Sequence, residues 1–318
     1  MTNILVTGSK GQVGSELQAL ASKYNYTFFF TDRDSLDITN KEAIEHFTKE
    51  NSINVIINAA AYTAVDKAED DKENADKVNH LATKYLAEEA KENNIKLVHI
   101  STDYVFNGEN FKPYTEDDTT NPNGVYGQTK LDGEKAMQEV NPKNSIIIRT
   151  SWVYSSFGAN FVKTMLRLGK ERDSLGVIYD QVGTPTYARD LAKVILNIVP
   201  KLNSHSELTS RHSEQTPRDA EQTPRHSELD SESKVKIYNY SNEGVLSWYD
   251  FSKEIMKMAK IECSINPIET KEYPTPAKRP HYSLLNKSKI KEEFDIMIPY
   301  WKDSLFECLK TLGERKWD

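Results

Sequence analysis

Short β-branched runs alternate with amphipathic helical stretches along the first 150 residues, and that rhythm admits few folds. Candidate strands lie at Asn3–Thr7, Thr27–Thr31, Asn54–Asn58, Lys96–Ser101 and Ser145–Arg149. Helical patterns separate them at Gln12–Lys23, Asn40–Asn51, Glu73–Asn94 and Tyr126–Glu139. A helix between successive strands returns the chain in the same direction, so the pattern predicts an α/β chain built on a doubly wound parallel sheet. Runs with no polar alternation, such as Val55-Ile56-Ile57, suit strands covered on both faces. Beyond about residue 150 the rhythm breaks. Helical patterns at Asn160–Gly169 and Tyr187–Ile198 are joined by loops, one further strand is expected at Val235–Tyr240, and Tyr273–Pro280 is punctuated by proline.

One segment stands outside this pattern. Residues 205–232 read as four seven-residue units, with Glu207, Glu214, Glu221 and Glu228 in one slot and Arg211, Arg218 and Arg225 in another. A coiled coil needs two apolar slots per unit. Here only Leu208, Ala220 and Leu229 are apolar, and Pro217 and Pro224 interrupt. Too little surface is available to offset the ordering entropy, so a disordered insertion is expected. Its His205, His212 and His226 read as part of a solvated repeat, not as a metal site.

Composition closes off other classes. The chain has 318 residues and two cysteines, Cys263 and Cys308, which excludes a disulfide framework and a four-cysteine zinc site. The net charge of −7 argues against a nucleic-acid binder. Apolar runs such as Val55–Ala61 fall far short of the ~18 residues that span a bilayer, and no signal-peptide pattern opens the chain. A soluble cytoplasmic protein without membrane or nucleic-acid partners is expected.

The first strand runs into Gly8-Ser9-Lys10-Gly11-Gln12-Val13-Gly14. Glycines at this spacing permit a tight turn and close backbone approach to a pyrophosphate, and the following helix aims free N–H groups at the anion. Alone, the triplet is weak evidence and also fits a plain turn; its place between strand and helix points to a dinucleotide site. Asp32, at the end of the second strand, could accept from an adenosine ribose, whereas Arg33 could pair with a 2′-phosphate, so NAD and NADP both remain open. Asp37 and Ile38 could flank the adenine. Asn58-Ala59-Ala60-Ala61 is small enough for a flat cofactor to lie against the backbone.

Tyr126 and Lys130 are four residues apart and share a helix face. An ammonium beside a phenol favours the phenolate and suits the phenol to donate a proton to a carbonyl oxygen as hydride arrives. The Ser101-Thr102-Asp103 strand end lies 24 residues before Tyr126 at its hydroxyl Thr102 and can polarise the same carbonyl.

Glycine loop, Asn-Ala-Ala, Ser-Thr and Tyr-x-x-x-Lys stand in the order seen in the extended short-chain dehydrogenase/reductase family, which the chain resembles. Within it, the chain is similar to the dTDP-4-dehydrorhamnose reductases. The likeness is carried by Gly-Gln-Val-Gly at 11–14, Asn-Ala-Ala-Ala-Tyr-Thr-Ala-Val-Asp at 58–66, Ser-Thr-Asp-Tyr-Val-Phe at 101–106, Tyr-Gly-Gln-Thr-Lys at 126–130 and Arg-Thr-Ser-Trp-Val-Tyr at 149–154. It continues through Asp180-Gln181 and Gly183, then Pro-Thr-Pro-Ala at 274–277, Arg279-Pro280 and Ser-Leu-Leu-Asn at 283–286. Only 205–232 has no counterpart.

The resemblance implies a Rossmann-type core over 1–150, with later contributions near 176–200 and 235–241. It also implies a smaller, discontinuous substrate-binding region over 151–175 and 242–318. The implied reaction is NADPH- or NADH-dependent reduction of the C4 ketone of dTDP-4-dehydro-L-rhamnose, a step towards surface polysaccharide. Tyr126 would donate the proton, Lys130 tune it and hold ribose, and Thr102 assist. Cofactor contacts would come from Gly8, Gly11, Gln12, Val13, Gly14, Asp32, Arg33, Asp37, Ile38, Ala60, Ala61, Tyr62 and Thr63, besides Tyr126 and Lys130. Thr102, Asp103, Trp152 and Arg279 would contact the sugar nucleotide. Without the resemblance Trp152 would be read as core, whereas Arg279 offers a permanent, planar fork for a diphosphate. Glu16 matches a position that some family members use in a metal-linked dimer. One carboxylate is poor support for Mg2+, so no metal ligand is assigned and Glu16 is expected to be solvated. A homodimer stays open. The rivals are an NDP-sugar epimerase or dehydratase of the same fold, and a non-catalytic regulatory subunit that binds cofactor.

Overall fold

The computed structural model describes residues 1–203 and 234–314. The repeat 205–232, and with it the expectation of disorder, lies outside the described residues. Within them, five strands follow the expected runs: β1 (Thr2–Thr7), β2 (Tyr26–Phe30), β3 (Val55–Asn58), β4 (Lys96–Thr102) and β5 (Ile146–Thr150). The strand Lys236–Tyr240 completes a six-stranded sheet in the order Lys236–Tyr240, β5, β4, β3, β1, β2. Every pairing is parallel. The chain runs outward from β1 to β2, then returns to the other side of β1. The carboxyl ends of β1 and β3 therefore flank the point where strand order reverses, where such sheets open a crevice.

The period of two along each strand explains how the sheet is covered. Ile4, Val6, Val55, Ile57, Ile146 and Ile148 face one cluster with Val13, Leu17 and Leu20 of helix α1 (Gln12–Leu20) and with the helix Ala188–Ile198. Leu5, Ile56, Leu97 and Ile147 face the other, with Leu86, Ala87 and Ala90 of the helix Ala82–Glu92 and with Met137. Each such aliphatic side chain taken wholly out of water contributes about 1.5–3 kcal/mol. The uninterrupted apolar runs are thus the signature of two-sided burial.

Helix ends follow their capping residues. Asn40 accepts from the Ala43 amide and starts α2 (Lys41–Glu50). Asn160 accepts from Lys163 and starts Phe161–Glu171. Ser247 and Asp250 form a reciprocal capping box on Trp248–Ala259. The helical run expected over Glu73–Asn94 is one path of three segments: Lys72–Asp76, a π-helical stretch Lys77–Leu81, and Ala82–Glu92. Helices Phe161–Glu171, Trp248–Ala259 and Trp301–Glu314 share a third cluster around Phe251, Ile255, Trp301 and Leu305. Among the described residues, no helix is long and apolar enough to cross a membrane.

Candidate active site at the carboxyl edge of the sheet

The glycine loop folds back at Gly8, whose φ of +67° lies in the left-handed region that side chains avoid. A Cβ there would also sit 2.7 Å from the Ala60 backbone. The turn after β1 and the turn after β3 therefore touch at the reversal point, and only hydrogen at Gly8 lets them. Gly11 precedes α1 without any side-chain cap. The first N–H groups of a helix have no partner within it, so Gln12, Val13 and Gly14 present backbone donors beside a floor of bare backbone. This cradle, which a Cβ would fill, fits a pyrophosphate. Gln12 also ties the loop to the far side of the cleft: its amide nitrogen donates to Val153 O at 3.2 Å, and its oxygen accepts from Asn160 at 3.0 Å.

The other cofactor candidates are placed less uniformly. Asp32 accepts from the Asp34 and Ser35 amides and the Ser35 hydroxyl, and is paired with Lys10. The Lys10 ammonium and these donors hold its carboxyl well below the usual range. Arg33 is exposed next to it. Asp37 accepts from the Thr39 amide and hydroxyl at 3.0 and 2.8 Å, a local turn, while Ile38 is buried in the core beneath. Ala60, Ala61 and Tyr62 are half-buried and Thr63 is exposed. The Tyr62 hydroxyl donates to Asp71 at 2.9 Å.

Tyr126 and Lys130 lie on the helix Val125–Val140. That helix starts where Glu69 accepts from the Val125 amide at 2.9 Å, a cap supplied from 56 residues away. Gly127 decides how closely the helix approaches β4, since any Cβ there would overlap the Tyr104 carbonyl oxygen. Thr102, at the end of β4, thereby lies on the Tyr126 side of the helix and favours ionisation of its phenol. The Thr102 hydroxyl also donates to Asp103 at 3.0 Å. Tyr104 packs edge-on against the Tyr126 ring, with centroids 5.5 Å apart.

Burial governs the proton affinities here. It pushes the Tyr126 phenol up to about 12, against a smaller opposing pull from Thr102. Sequence spacing suggested the reverse, with Lys130 lowering the phenol; in the folded site desolvation dominates. Burial brings the Lys130 ammonium down to about 8. Asp103 is 2% exposed and burial pushes its carboxyl up to about 7. Its Oδ2 receives no well-formed hydrogen bond, although the nearby Ser283 hydroxyl favours the charged form.

Trp152 follows β5 with φ +48°, an unusual conformation for so large a residue. It stacks on Trp248 at 3.7 Å between centroids, and its carbonyl accepts from Thr186. Gly183 lies between the Trp152 ring and Ser283, so Trp152 and Asp103 border one region. Arg279 reaches the same edge from the proline-rich tail. Its fork closes on Asp66 at 2.7 and 3.0 Å, and a third N–H donates to Ala277 O. Two of its five donors remain. Glu16 departs from the expected solvated position: it is fully buried, accepts from Ser155 at 2.6 Å and lies 3.6 Å from Arg189. Glu69, Asp66, Trp248 and Ser283 were not singled out from spacing. Each acts across a fold-level contact, although Asp66 and Ser283 fall inside the motif stretches.

The sequence model described as the RmlD substrate binding domain matches residues 1–314. The dTDP-4-dehydrorhamnose reductase of Aggregatibacter actinomycetemcomitans is 39% identical over 312 residues, covering 96% of this chain and 97% of its own. The chain belongs to the RmlD family of dTDP-4-dehydrorhamnose reductases. Solved members of the family share the fold throughout. The Clostridium acetobutylicum dTDP-4-dehydrorhamnose reductase is 40% identical with a TM-score of 0.85, covering 98% of this chain and all of that one. The Bacillus anthracis dTDP-4-dehydrorhamnose reductase, solved in complex with NADP, is 33% identical with a TM-score of 0.84 at the same coverage. As a member of this family the chain is an oxidoreductase, on a Rossmann-type sheet.

Proposed function

We propose that the chain reduces the C4 ketone of dTDP-4-dehydro-L-rhamnose to dTDP-L-rhamnose with NADPH or NADH, as a cytoplasmic supply of sugar donor for surface polysaccharide. The observation that carries this is the convergence of Thr102, Tyr126 and Lys130 at the carboxyl end of β4, beside the glycine cradle. Gln12, Val13 and Gly14 amides take the pyrophosphate, and Ala60–Thr63 forms the floor. The bound nicotinamide supplies the hydride.

Tyr126 Oη donates to the substrate C4 oxygen, and Thr102 Oγ1 does so once its one hydroxyl proton turns from Asp103 to the substrate. As C4 accepts hydride, that oxygen takes the Tyr126 proton, and the phenolate left behind is held by the Lys130 charge until solvent reprotonates it. A phenol near 12 stays neutral at working pH, which suits a donor to a developing alkoxide. Asp103 Oδ2, buried without a good partner, accepts from a sugar hydroxyl. Trp152 forms a flat wall for the ring, and the two spare N–H groups of Arg279 meet the diphosphate. The Tyr126, Lys130 and Thr102 set favours a reductase over a regulatory subunit, and the match along 1–314 favours it over an epimerase.

The test is NADPH or NADH oxidation, followed by absorbance, on adding the 4-keto sugar nucleotide, with the deoxysugar product identified by mass. Cofactor binding without turnover would overturn the reductase proposal in favour of a regulatory role. Recovery of an epimerised 4-keto sugar nucleotide without net cofactor oxidation would point to the epimerase.

A further inference from the structure

His99 is a buried titratable residue in β4 that the mechanism above does not use. Parallel register sets Thr7 and Asn58, the last residues of β1 and β3, side by side with His99 in the middle of β4. Their side chains form a line. Thr7 Oγ1 meets Asn58 Oδ1 at 2.7 Å, Asn58 Nδ2 meets His99 Nδ1 at 3.0 Å, and His99 Nε2 meets Lys130 Nζ at 3.2 Å. All four residues are at most 1% exposed. Lys130 Nζ also donates to Ile100 O at 2.7 Å.

We propose that His99 is a positioning residue for Lys130: its neutral ring accepts an ammonium N–H through Nε2 and, with the Ile100 carbonyl, fixes the Lys130 charge. This rests on the reductase reading of the same site. An ammonium has only donors, so Nε2 must be the acceptor, and the ring proton sits on Nδ1. That N–H needs an acceptor, which Asn58 supplies when its amide turns its oxygen to the ring and its nitrogen to Thr7 Oγ1. The two ends of an amide are nearly isosteric, so the turn keeps every position in the line. Its cost is the longer 3.3 Å contact from the Ala60 amide to Asn58 Oδ1. Two of the three ammonium donors are then committed inside the chain, and the third is left for a partner in the cleft.

Burial and the neighbouring Lys130 charge both hold His99 well below the usual imidazole range, which keeps the acceptor lone pair available. The other groups around Lys130 are Tyr126 and Glu134 on its own helix. Glu134 is held by Arg149 of β5 at 2.7 Å, and Asp103 at the end of β4 acts on Tyr126.

The first experiment is nitrogen NMR of the imidazoles in the full wild-type chain at pH 7, without substrate. The His99 ring is identified as the signal absent from the His99→Gln variant. A bare Nε2 with the proton on Nδ1 is expected; a proton on Nε2 overturns the proposal. The second compares pH profiles of kcat/KM. Losing a hydrogen bond to a charge is worth about one pKa unit, so His99→Leu is expected to move the basic limb down by about one unit and raise KM for the cofactor. His99→Gln, which keeps an acceptor, restores most of both. A folded His99→Leu with an unmoved limb overturns the proposal. If the wild type itself turns nothing over, the reductase reading fails, while the NMR result still decides how His99 and Lys130 share their proton.

Discussion

Burial sets the protonation of the groups that would meet the substrate, and two substitutions read it out. Tyr126→Phe removes the proposed proton donor and leaves the ring packed against Tyr104. We expect kcat to fall by about 10²–10⁴ with cofactor affinity nearly unchanged, measured by steady-state rates and fluorescence titration. Asp103 has a folded pKa of about 7 against an unfolded value of 3.8. Between those values the folded state holds the proton that the unfolded state has lost. The stability that Asp103 contributes is therefore full below about pH 4 and declines as pH rises towards 7. Thermal melts across this window should show the decline, and Asp103→Asn should flatten it while lowering affinity for the sugar nucleotide. Arg279 shows the opposite balance: its charge is secured by Asp66, which sits in the segment after β3. Arg279→Met should raise KM for the sugar nucleotide about ten-fold or more, with KM for the cofactor little changed.

The placement of the helix Val125–Val140 against β4 depends on one missing side chain. Gly127→Ala pushes a methyl into the Tyr104 carbonyl, which is backbone and cannot swing away. We expect about 1–3 kcal/mol of destabilisation by denaturant titration, together with lost activity because Tyr126 moves off Thr102. Gly313 is the contrasting case, in the last turn of Trp301–Glu314, where no atom of the described residues lies within 4 Å of a Cβ. Gly313→Ala should stabilise by about 0.4–1 kcal/mol and leave the rate alone. The same residue type thus gives opposite signs in two helices, because one is pressed against a strand end and the other faces open space.

At the scale of the molecule, the tail closes the site from the far end of the chain. Residues 277–285 thread between the loop after β4 and the short strand Val182–Gly183: Tyr282 N bonds to Gly108 O, Val182 N to His281 O and Ser283 N to Val182 O. These contacts hold Ser283, which neighbours Asp103 and the Trp152 ring, and the adjoining Arg279 in place. The repeat at 205–232 enters the chain between the helix Ala188–Ile198 and the strand Lys236–Tyr240, and neither contributes a residue to the proposed catalytic set. Closure entropy grows slowly with loop length, so removing the repeat changes stability little. A variant lacking 205–232 should keep full reductase activity and its melting temperature within a few degrees, measured side by side with the full chain.

The apolar rhythm of the first 150 residues determined five of the six strands of the sheet, because central strands covered on both faces are written as apolar runs with helices between them. It located the glycine turn for the same reason, since only glycine tolerates φ of +67° against the Ala60 backbone. Tyr126 and Lys130 were legible because four residues make one helical turn. The less regular half was harder. The short pairs after β5 and the helices Trp248–Ala259 and Trp301–Glu314 lack the strand–helix alternation that marks the sheet. The buried state of Glu16 needed Ser155 and Arg189 to fold over it. The proton affinities of Tyr126 and Asp103 depend on desolvation, which no spacing encodes. The Thr7–Asn58–His99–Lys130 line belongs wholly to tertiary structure: three of its members come from strands far apart in sequence, and parallel register alone puts them on one rung.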